Sequence, residues 1–273
     1  MRVERLETVF EALRARGEAA LIAYITAGDP SLNRLPEILH LLHEAGVDMV
    51  EVGFPFSDPL ADGPVIQAAM YRALQGGTTL TRVLETVAAV SPTLKMPLIA
   101  FTYYNPVQRY GLARFAKDAV AAGFTACLMT DLPPDEADEW LAHARQAVLQ
   151  PIFLLTPTST AERIRLVAER GQGFVYCVSR TGVTGARDQL PPDLPDLIQR
   201  IRAHTTLPVA VGFGVSTPAH VRQIAQIAEG AVVGSQLVQQ LHAHADSPDW
   251  EQALGDYVRG LKAATRRWIA PVR

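Results

Sequence analysis

Short apolar runs and segments with helical spacing alternate along the whole chain. Eight apolar runs occur, at 20–26, 47–54, 97–104, 125–130, 151–156, 173–179, 207–211 and 230–233. Each run is nearly continuous in apolar residues, which is typical of parallel strands that are buried on both faces. The segments between them favour amphipathic helices, in which apolar residues recur every three or four positions.

Cap residues and glycine breaks give approximate limits for the helices. Ser31 is a candidate N-cap for a helix that extends to 45, and a second helix is predicted from about Thr78. Thr158 and Ser159 are candidate caps for a helix over 161–170. Further helices are predicted over 112–122, from about 135, before 204, from 217, over 236–241 and over 249–269. An additional amphipathic helix covers residues 1–17.

Eight strand–helix pairs in 273 residues predict an α/β protein. We expect a single (β/α)₈ TIM barrel domain that spans residues 1–273 and carries an extra N-terminal helix. An open doubly wound sheet is the alternative. It is disfavoured because no GxGxxG motif follows the first strand, where a dinucleotide-binding fold would carry it.

Composition and charge exclude several classes of protein. The net charge of −3 gives no electrostatic reason to expect binding to nucleic acid or to an anionic membrane. No apolar stretch approaches the roughly 18 residues of a transmembrane helix, and acidic residues in the first helix argue against a targeting peptide. Cys127 and Cys177 lie in apolar runs and are expected to be buried, reduced thiols of a cytoplasmic protein.

The strongest candidate chemistry lies in the second strand and the loop that follows it. Glu51 lies among apolar residues, where a carboxylate is unfavourable unless it lies at the mouth of the strand or faces a polar ligand. Asp62 follows in a loop rich in proline, glycine and acidic residues. If the loop folds back over the strand end, one carboxyl group could transfer protons while the other binds the same substrate through a hydrogen bond.

Glycines after the seventh and eighth strands predict a phosphate site. The loops at these two positions commonly bind phosphate in barrels. Here they contain Gly212-Phe213-Gly214 and Gly234-Ser235. Glycines let backbone N–H groups approach an anion, while the following helix N-terminus and the Ser235 hydroxyl add positive potential and a donor. The competing interpretation is that these glycines only form turns.

The segment 180–195 is too long for a simple connection between a strand and a helix. We predict that it is a mobile lid, with Gly182 and Gly185 as hinge candidates. Thr184 and Gly185 could reach the phosphate or the two carboxyl groups. A surface insertion is the competing interpretation.

Aromatic residues near strand ends are candidates for a pocket that holds a flat apolar group, although each could equally fill the core. They are Tyr24, Phe101, Tyr103, Tyr176 and Phe213. All seven histidines fall in or beside predicted helices, where we expect solvated positions, and none forms a cluster with metal-ligand spacing. The residues alone therefore predict a barrel enzyme that needs no metal or cofactor. An aldol-type lyase, an isomerase and a decarboxylase all remain possible.

One long motif and five short ones lie at the predicted strand ends. The long one is PFSDPLADGPVIQ at 55–67, preceded by Glu51-Val52-Gly53. The short ones are TAGDP at 26–30, DLPP at 131–134, SRTGVTG at 179–185, GFGVS at 212–216 and VGS at 233–235. In order and spacing they resemble the tryptophan synthase alpha subunit family over essentially the whole chain.

The resemblance implies a (β/α)₈ barrel that cleaves indole-3-glycerol phosphate to indole and glyceraldehyde 3-phosphate. It implies that Glu51 protonates indole C3 and then accepts the hydroxyl proton. It implies that Asp62 binds the indole N–H and stabilises the cation, with Tyr176 beside the glutamate and Thr184 closing against Asp62. The matching phosphate-site residues are Gly185, Phe213, Gly214, Gly234 and Ser235, and the matching pocket-wall residues are Tyr24 and Phe101.

The resemblance also implies a partner. The family's alpha subunit works with a beta subunit that holds pyridoxal phosphate and receives indole through a tunnel, in an allosteric α₂β₂ heterotetramer. Asp58 and Pro59 would lie in the contact, together with the sixth loop. This chain has no lysine in a pyridoxal-phosphate motif, so that cofactor is expected only in the partner.

Three other functions remain to be weighed. A stand-alone indole-3-glycerol phosphate lyase would keep Glu51 and Asp62, so the sequence discriminates poorly against it. A barrel that only activates the beta subunit is disfavoured because both carboxylates are intact. A phosphosugar isomerase of histidine biosynthesis would need aspartates after strands one and five, and here only Asp29 is present.

Overall fold

The computed structural model describes residues 5–179, 190–212 and 214–267 of the chain. Within these ranges eight parallel strands close into a barrel in chain order. They are β1 Ala20–Thr26, β2 Met49–Gly53, β3 Leu98–Thr102, β4 Phe124–Met129, β5 Gln150–Leu155, β6 Val175–Val178, β7 Val209–Gly212 and β8 Gly230–Val233. The last strand pairs with the first, so the prediction of a closed (β/α)₈ barrel is confirmed and the open-sheet alternative is wrong.

Helices surround the barrel. They are α1 Leu6–Ala15, α2 Leu35–Glu44, α3 Pro64–Gln75, α4 Leu80–Val90, α5 Tyr104–Tyr110, α6 Leu112–Ala122, α7 Asp138–Ala147, α8 Ala161–Arg170, α9 Leu194–Arg202, α10 Pro218–Ile227, α11 Ser235–Ala243 and α12 Trp250–Ala263. The predicted N-terminal helix is confirmed as α1. No helix within the described ranges is long and apolar enough to cross a membrane.

Three details of the predicted helices are wrong. Helices α3 and α5 were not predicted, and α3 begins with Pro64 at a position where a fixed φ and a missing N–H cost nothing. The N-cap of α8 is Thr160, whose hydroxyl accepts from the Arg163 N–H, so neither of the two preceding hydroxyl residues is the cap. Ser31 precedes a short 3₁₀ turn and makes no side-chain capping bond.

The strands divide the core into two apolar layers. The outer layer lies between the strands and the helices, and the inner layer fills the barrel. Strand β2 shows the alternation, because Val50 and Val52 pack outward while Met49 packs inward. The period of two then directs Glu51 into the barrel interior as well.

Helix α1 closes the N-terminal end of the barrel with Leu6, Phe10 and Leu13 in the inner layer. Its first turn is held by Gln150 at the start of β5, whose amide oxygen accepts from the Leu6 N–H at 3.2 Å. The Gln150 amide nitrogen donates to both carboxylate oxygens of Glu7, at 2.7 and 2.8 Å. One side chain thus joins α1 to the barrel wall.

Gln150→Leu tests this connection. The change keeps the approximate volume but leaves the Leu6 N–H and the Glu7 carboxylate without these partners, so we expect a loss of about 1–3 kcal/mol in the free energy of unfolding. Urea denaturation followed by circular dichroism measures the loss. The control is Gln223→Leu on the exposed face of α10, which we expect to change stability by less than about 0.5 kcal/mol. Equal stability of both variants would show that the connection contributes nothing.

Cys127 and Cys177 are both free and buried, as predicted. Burial raises the pKa of the Cys177 thiol to about 12. The neutral thiol therefore persists at any physiological pH, and both cysteines act as small apolar side chains of the core.

Candidate active site

Glu51 lies in the middle of β2 with its carboxyl group inside the barrel and none of its surface exposed. In the described part of the chain neither carboxyl oxygen has a hydrogen-bond partner. Burial without compensation raises the pKa of Glu51 from 4.5 to about 8. The group is therefore a protonated acid at neutral pH, yet it titrates close enough to neutrality to release its proton.

Asp62 lies in the loop between β2 and α3 and is only 3% exposed. The Tyr103 hydroxyl, just past the end of β3, donates to its Oδ2 at 2.7 Å. The backbone of Asp62 is also held, because its N–H donates to the Pro59 carbonyl and its carbonyl accepts from the Gln67 side chain. Burial raises the pKa of Asp62 to about 6, and the bond from Tyr103 opposes this rise.

The two carboxyl groups lie close to the same two buried tyrosines. Tyr24 on β1 is in register with Glu51 on β2. Burial raises the pKa of Tyr24 and of Tyr176 well above 10, and the negative charges of Glu51 and Asp62 both add to the rise. Both acids therefore lie near both tyrosines, and we refer to the space that these four side chains border as the cavity. Two acids with separated pKa values in one cavity suit general acid–base chemistry.

Aromatic rings form the wall of this cavity. Tyr24 contacts Phe101 edge to face, with ring centroids 5.0 Å apart. Tyr103 lies against Phe56 at 5.1 Å. Tyr176 is the fourth of the predicted aromatic residues in the inner layer, while the fifth, Phe213, lies outside the described residues.

Two glycines make room for the tyrosine hydroxyls. A Cβ atom at Gly53 would lie 2.3 Å from the Tyr24 hydroxyl oxygen, and one at Gly212 would lie 2.2 Å from that of Tyr176. Both tyrosines are almost fully buried, so their rings have little space in which to yield. The close approach of ring and backbone explains why glycine occupies both strand ends.

The predicted phosphate residues lie at the ends of neighbouring strands. Strands β7 and β8 pair in parallel, so the loops that follow them are adjacent. Helix α11 begins at Ser235 directly after Gly234, and the first N–H groups of a helix have no acceptor within that helix and can bind an anion. Gly214 adopts a positive φ of 88°. The other predicted members of the phosphate site, Gly185 and Phe213, lie outside the described residues, as does the predicted lid residue Thr184.

The sequence did not predict one buried hydrogen-bonded group beside the loop after β7. His220 was expected in a solvated position, but it is only 3% exposed. The Ser216 N–H donates to its Nδ1 at 3.4 Å, and the Tyr257 hydroxyl donates to the Ser216 carbonyl at 2.8 Å. The sequence feature that could have indicated this arrangement is the cap residue Thr217. Its hydroxyl accepts from the His220 N–H and so fixes the first turn of α10 beside the loop after β7.

A second missed contact joins the loop after β1 to α3. Both oxygens of the buried Asp29 accept from Arg72, each at 2.8 Å. From the sequence, Asp29 is only a possible acid at a strand end. Its ion pair with Arg72 could not be predicted, because Arg72 belongs to helix α3, which the sequence pattern did not indicate. The ion pair shows that Asp29 supports the rim of the barrel.

The described residues contain no group of three histidine, cysteine or acidic side chains arranged to hold a metal ion. Asp58 and Pro59 lie outside the cavity, on the surface side of the loop that carries Asp62. They line a groove of about 660 Å³ with Leu60 and Tyr71, which are 85% and 62% exposed.

The closed barrel, the two buried acids and the aromatic wall together are typical of a (β/α)₈-barrel enzyme with candidate acid–base groups at its strand ends. The family model for the tryptophan synthase alpha chain matches residues 10–266. A tryptophan synthase alpha chain from Solibacter usitatus is 48% identical over 258 residues, which cover 94% of this chain and 97% of that protein.

Solved structures give the same result. A tryptophan synthase structure from Mycobacterium tuberculosis is 40% identical, with a TM-score of 0.88 and coverage of 97% of this chain and 99% of that one. The alpha subunit from Legionella pneumophila is 35% identical, with a TM-score of 0.89 and the same coverage. The chain therefore belongs to the tryptophan synthase alpha chain family. It is a carbon–carbon lyase of tryptophan biosynthesis, which cleaves indole-3-glycerol phosphate to indole and glyceraldehyde 3-phosphate.

Glu51→Gln tests the burial of the acid through stability. The unfolded chain loses the Glu51 proton near pH 4.5 and the folded chain near 8, so the wild type loses stability as pH rises between these values. Glutamine does not titrate. We expect the stability of the variant to rise relative to that of the wild type across this window, by up to about 5 kcal/mol, in urea denaturation at several pH values. Glu44→Gln, at an exposed position of α2, is the control. Parallel profiles for wild type and Glu51→Gln would refute the raised pKa.

Proposed function

We propose that Glu51 and Asp62 divide the chemistry of the cleavage between them. The observation that carries this proposal is the Glu51 carboxyl group, which is buried in the barrel with no hydrogen-bond partner among the described residues. An unsatisfied acid in a folded core is unfavourable unless a substrate uses it. Asp62 is also buried and lies in the loop that follows the same strand.

The protonated Glu51 donates its proton to C3 of the indole ring, and the ring becomes an iminium-type cation at nitrogen. The Asp62 carboxylate accepts a hydrogen bond from the indole N–H and stabilises that charge. The Glu51 carboxylate then removes the proton from the hydroxyl group on the adjacent side-chain carbon. The C–O bond becomes a carbonyl, the C–C bond breaks, and its electron pair restores the neutral indole.

The pKa values suit these assignments. Glu51, with a pKa of about 8, is mainly protonated at neutral pH and can begin as the acid. Asp62, with a pKa of about 6, is mainly ionised at the same pH and can begin as the anion. In a cavity of low dielectric constant, a fixed anion beside a developing cation acts far more strongly than it would in water.

The rest of the cavity suits the two ends of the substrate. We propose that the indole ring lies against Tyr24, Phe101, Tyr103 and Tyr176. The phosphate would bind the backbone at Gly214 and Gly234 and the start of α11 at Ser235. Gly185 and Phe213 would complete this phosphate site, and Thr184 would close over Asp62. The whole chain would act as one barrel domain.

We propose that the exposed groove around Asp58 and Pro59 binds a tryptophan synthase beta subunit. Leu60 and Tyr71 expose large apolar surface there, which is typical of a protein interface. The partner would hold pyridoxal phosphate and receive indole in an allosteric α₂β₂ complex, while this chain carries no cofactor of its own. A cytoplasmic location agrees with two buried free thiols.

Indole release from indole-3-glycerol phosphate tests the proposed chemistry. We expect Glu51→Gln to lower kcat by about 10²–10⁴-fold, because it removes the proton donor and acceptor. We expect Asp62→Asn to lower kcat/KM strongly as well, because it removes the anion. The wild type is measured alone and with a beta subunit, and Glu44→Gln serves as the matched control.

The outcomes separate the competing functions. Weak activity alone with strong activation by the beta subunit supports the complex. High activity of the isolated chain would favour a stand-alone lyase. Unchanged cleavage in Glu51→Gln would overturn the proposed mechanism, even if the chain still activates the beta subunit.

Leu60→Asp tests the proposed interface. A charge in place of an exposed apolar side chain would be desolvated on binding, so we expect the affinity for the beta subunit to fall at least about tenfold in calorimetry. The activity of the isolated chain is expected to stay unchanged. Val148→Asp, at an exposed position between α7 and β5, is the control. Equal affinities for both variants would place the partner elsewhere.

A further inference from the structure

Tyr103 is bound to the Asp62 loop by two hydrogen bonds through one hydroxyl group. It donates to Asp62 Oδ2 at 2.7 Å and accepts from the Ala61 N–H at 3.1 Å. It is itself only 2% exposed. The hydroxyl group thus contacts the backbone and the side chain of two consecutive loop residues.

The barrel wall holds Tyr103 in place. The residue directly follows β3 and is the N-cap of α5, so its backbone is fixed between two regular elements. Its ring lies against Phe56, with centroids 5.1 Å apart. Asp62, by contrast, belongs to a loop. The bond from Tyr103 therefore sets the loop carboxylate relative to the rigid strand ends.

We propose that Tyr103 is a positioning residue for the cleavage, which orients the Asp62 carboxylate toward the indole N–H of the substrate. This inference rests on the proposed role of Asp62. It assigns Tyr103 a role beyond that of a pocket wall. The hydroxyl group acts through Asp62 and transfers no proton itself.

The same bond favours the ionised form of Asp62. Burial raises the pKa of Asp62, and the donated hydrogen bond from Tyr103 lowers it. The other titratable groups around the cavity are Glu51 on β2, Tyr24 on β1 and Tyr176 on β6. Both tyrosines are neutral throughout the working range. Removal of the Tyr103 hydroxyl therefore raises the pKa of Asp62 further and delays its ionisation to higher pH.

Tyr103→Phe in the complex with a beta subunit tests the inference. We expect kcat/KM for indole release to fall roughly 10- to 100-fold at neutral pH, the effect of losing a bond to a charged group. We expect the acidic limb of the pH profile to move upward by roughly one unit, because Asp62 ionises later. The substrate phosphate titrates in the same range for both enzymes, so the difference between profiles reports on Asp62.

Tyr110→Phe is the matched control. Its hydroxyl donates to Asp118 at 2.6 Å, a Tyr–Asp bond between α5 and α6 and away from the cavity. We expect this variant to keep both the wild-type kcat/KM and its pH profile. Thermal denaturation of both variants measures any common effect on folding.

A double-mutant cycle with Asp62→Asn separates positioning from packing. If Tyr103 acts through Asp62, Tyr103→Phe has little further effect on kcat/KM in the Asp62→Asn background. An equal loss in both backgrounds, or an unshifted acidic limb, would overturn the inference. If Asp62→Asn itself leaves cleavage unchanged, the proposed function fails first. If only Tyr103→Phe leaves it unchanged, this inference alone fails.

Discussion

The burial of one acid inside the barrel is the constraint on which the rest of the structure depends. Glu51 occupies a position that an apolar side chain would fill at lower free energy, and in the described part of the chain its oxygens have no hydrogen-bond partner. The fold offsets this cost at the opposite end of the barrel, where α1 packs three apolar side chains into the inner layer. The structure thus separates a stabilising end from the end where the two candidate acids lie.

The barrel also gives two carboxyl groups different environments. Glu51 lies on a strand and its side chain points into the barrel interior, where burial raises its pKa to about 8. Asp62 comes from a loop and meets the Tyr103 hydroxyl, so its pKa rises only to about 6. One acid is therefore protonated where the other is ionised, and this difference follows from where each residue lies in the fold.

Much of the fold and the position of Glu51 could be predicted from the sequence, because buried parallel strands give continuous apolar runs. The limits of β1, β8, α6 and α8 agree with the predicted ones, and Glu51 is conspicuous as a carboxylate inside such a run. Helix α3 was missed because the Pro- and Gly-rich residues before it indicate a loop. The contact between Tyr103 and Asp62 joins residues 41 positions apart and depends on the loop conformation, which no local pattern encodes.

The loop between β2 and α3 connects the cavity with the surface. Its outer part exposes Leu60, while Ala61 and Asp62, which follow at once, are bound to Tyr103 on the barrel wall. Gln67 ties the same loop to α3 through the Asp62 carbonyl. A protein that binds around Leu60 therefore contacts a segment two residues from the carboxylate. Because this loop is held to the barrel wall both by these hydrogen bonds and by the packing of Phe56 and Ala61 against the inner layer, a shift at the surface would be transmitted to Asp62.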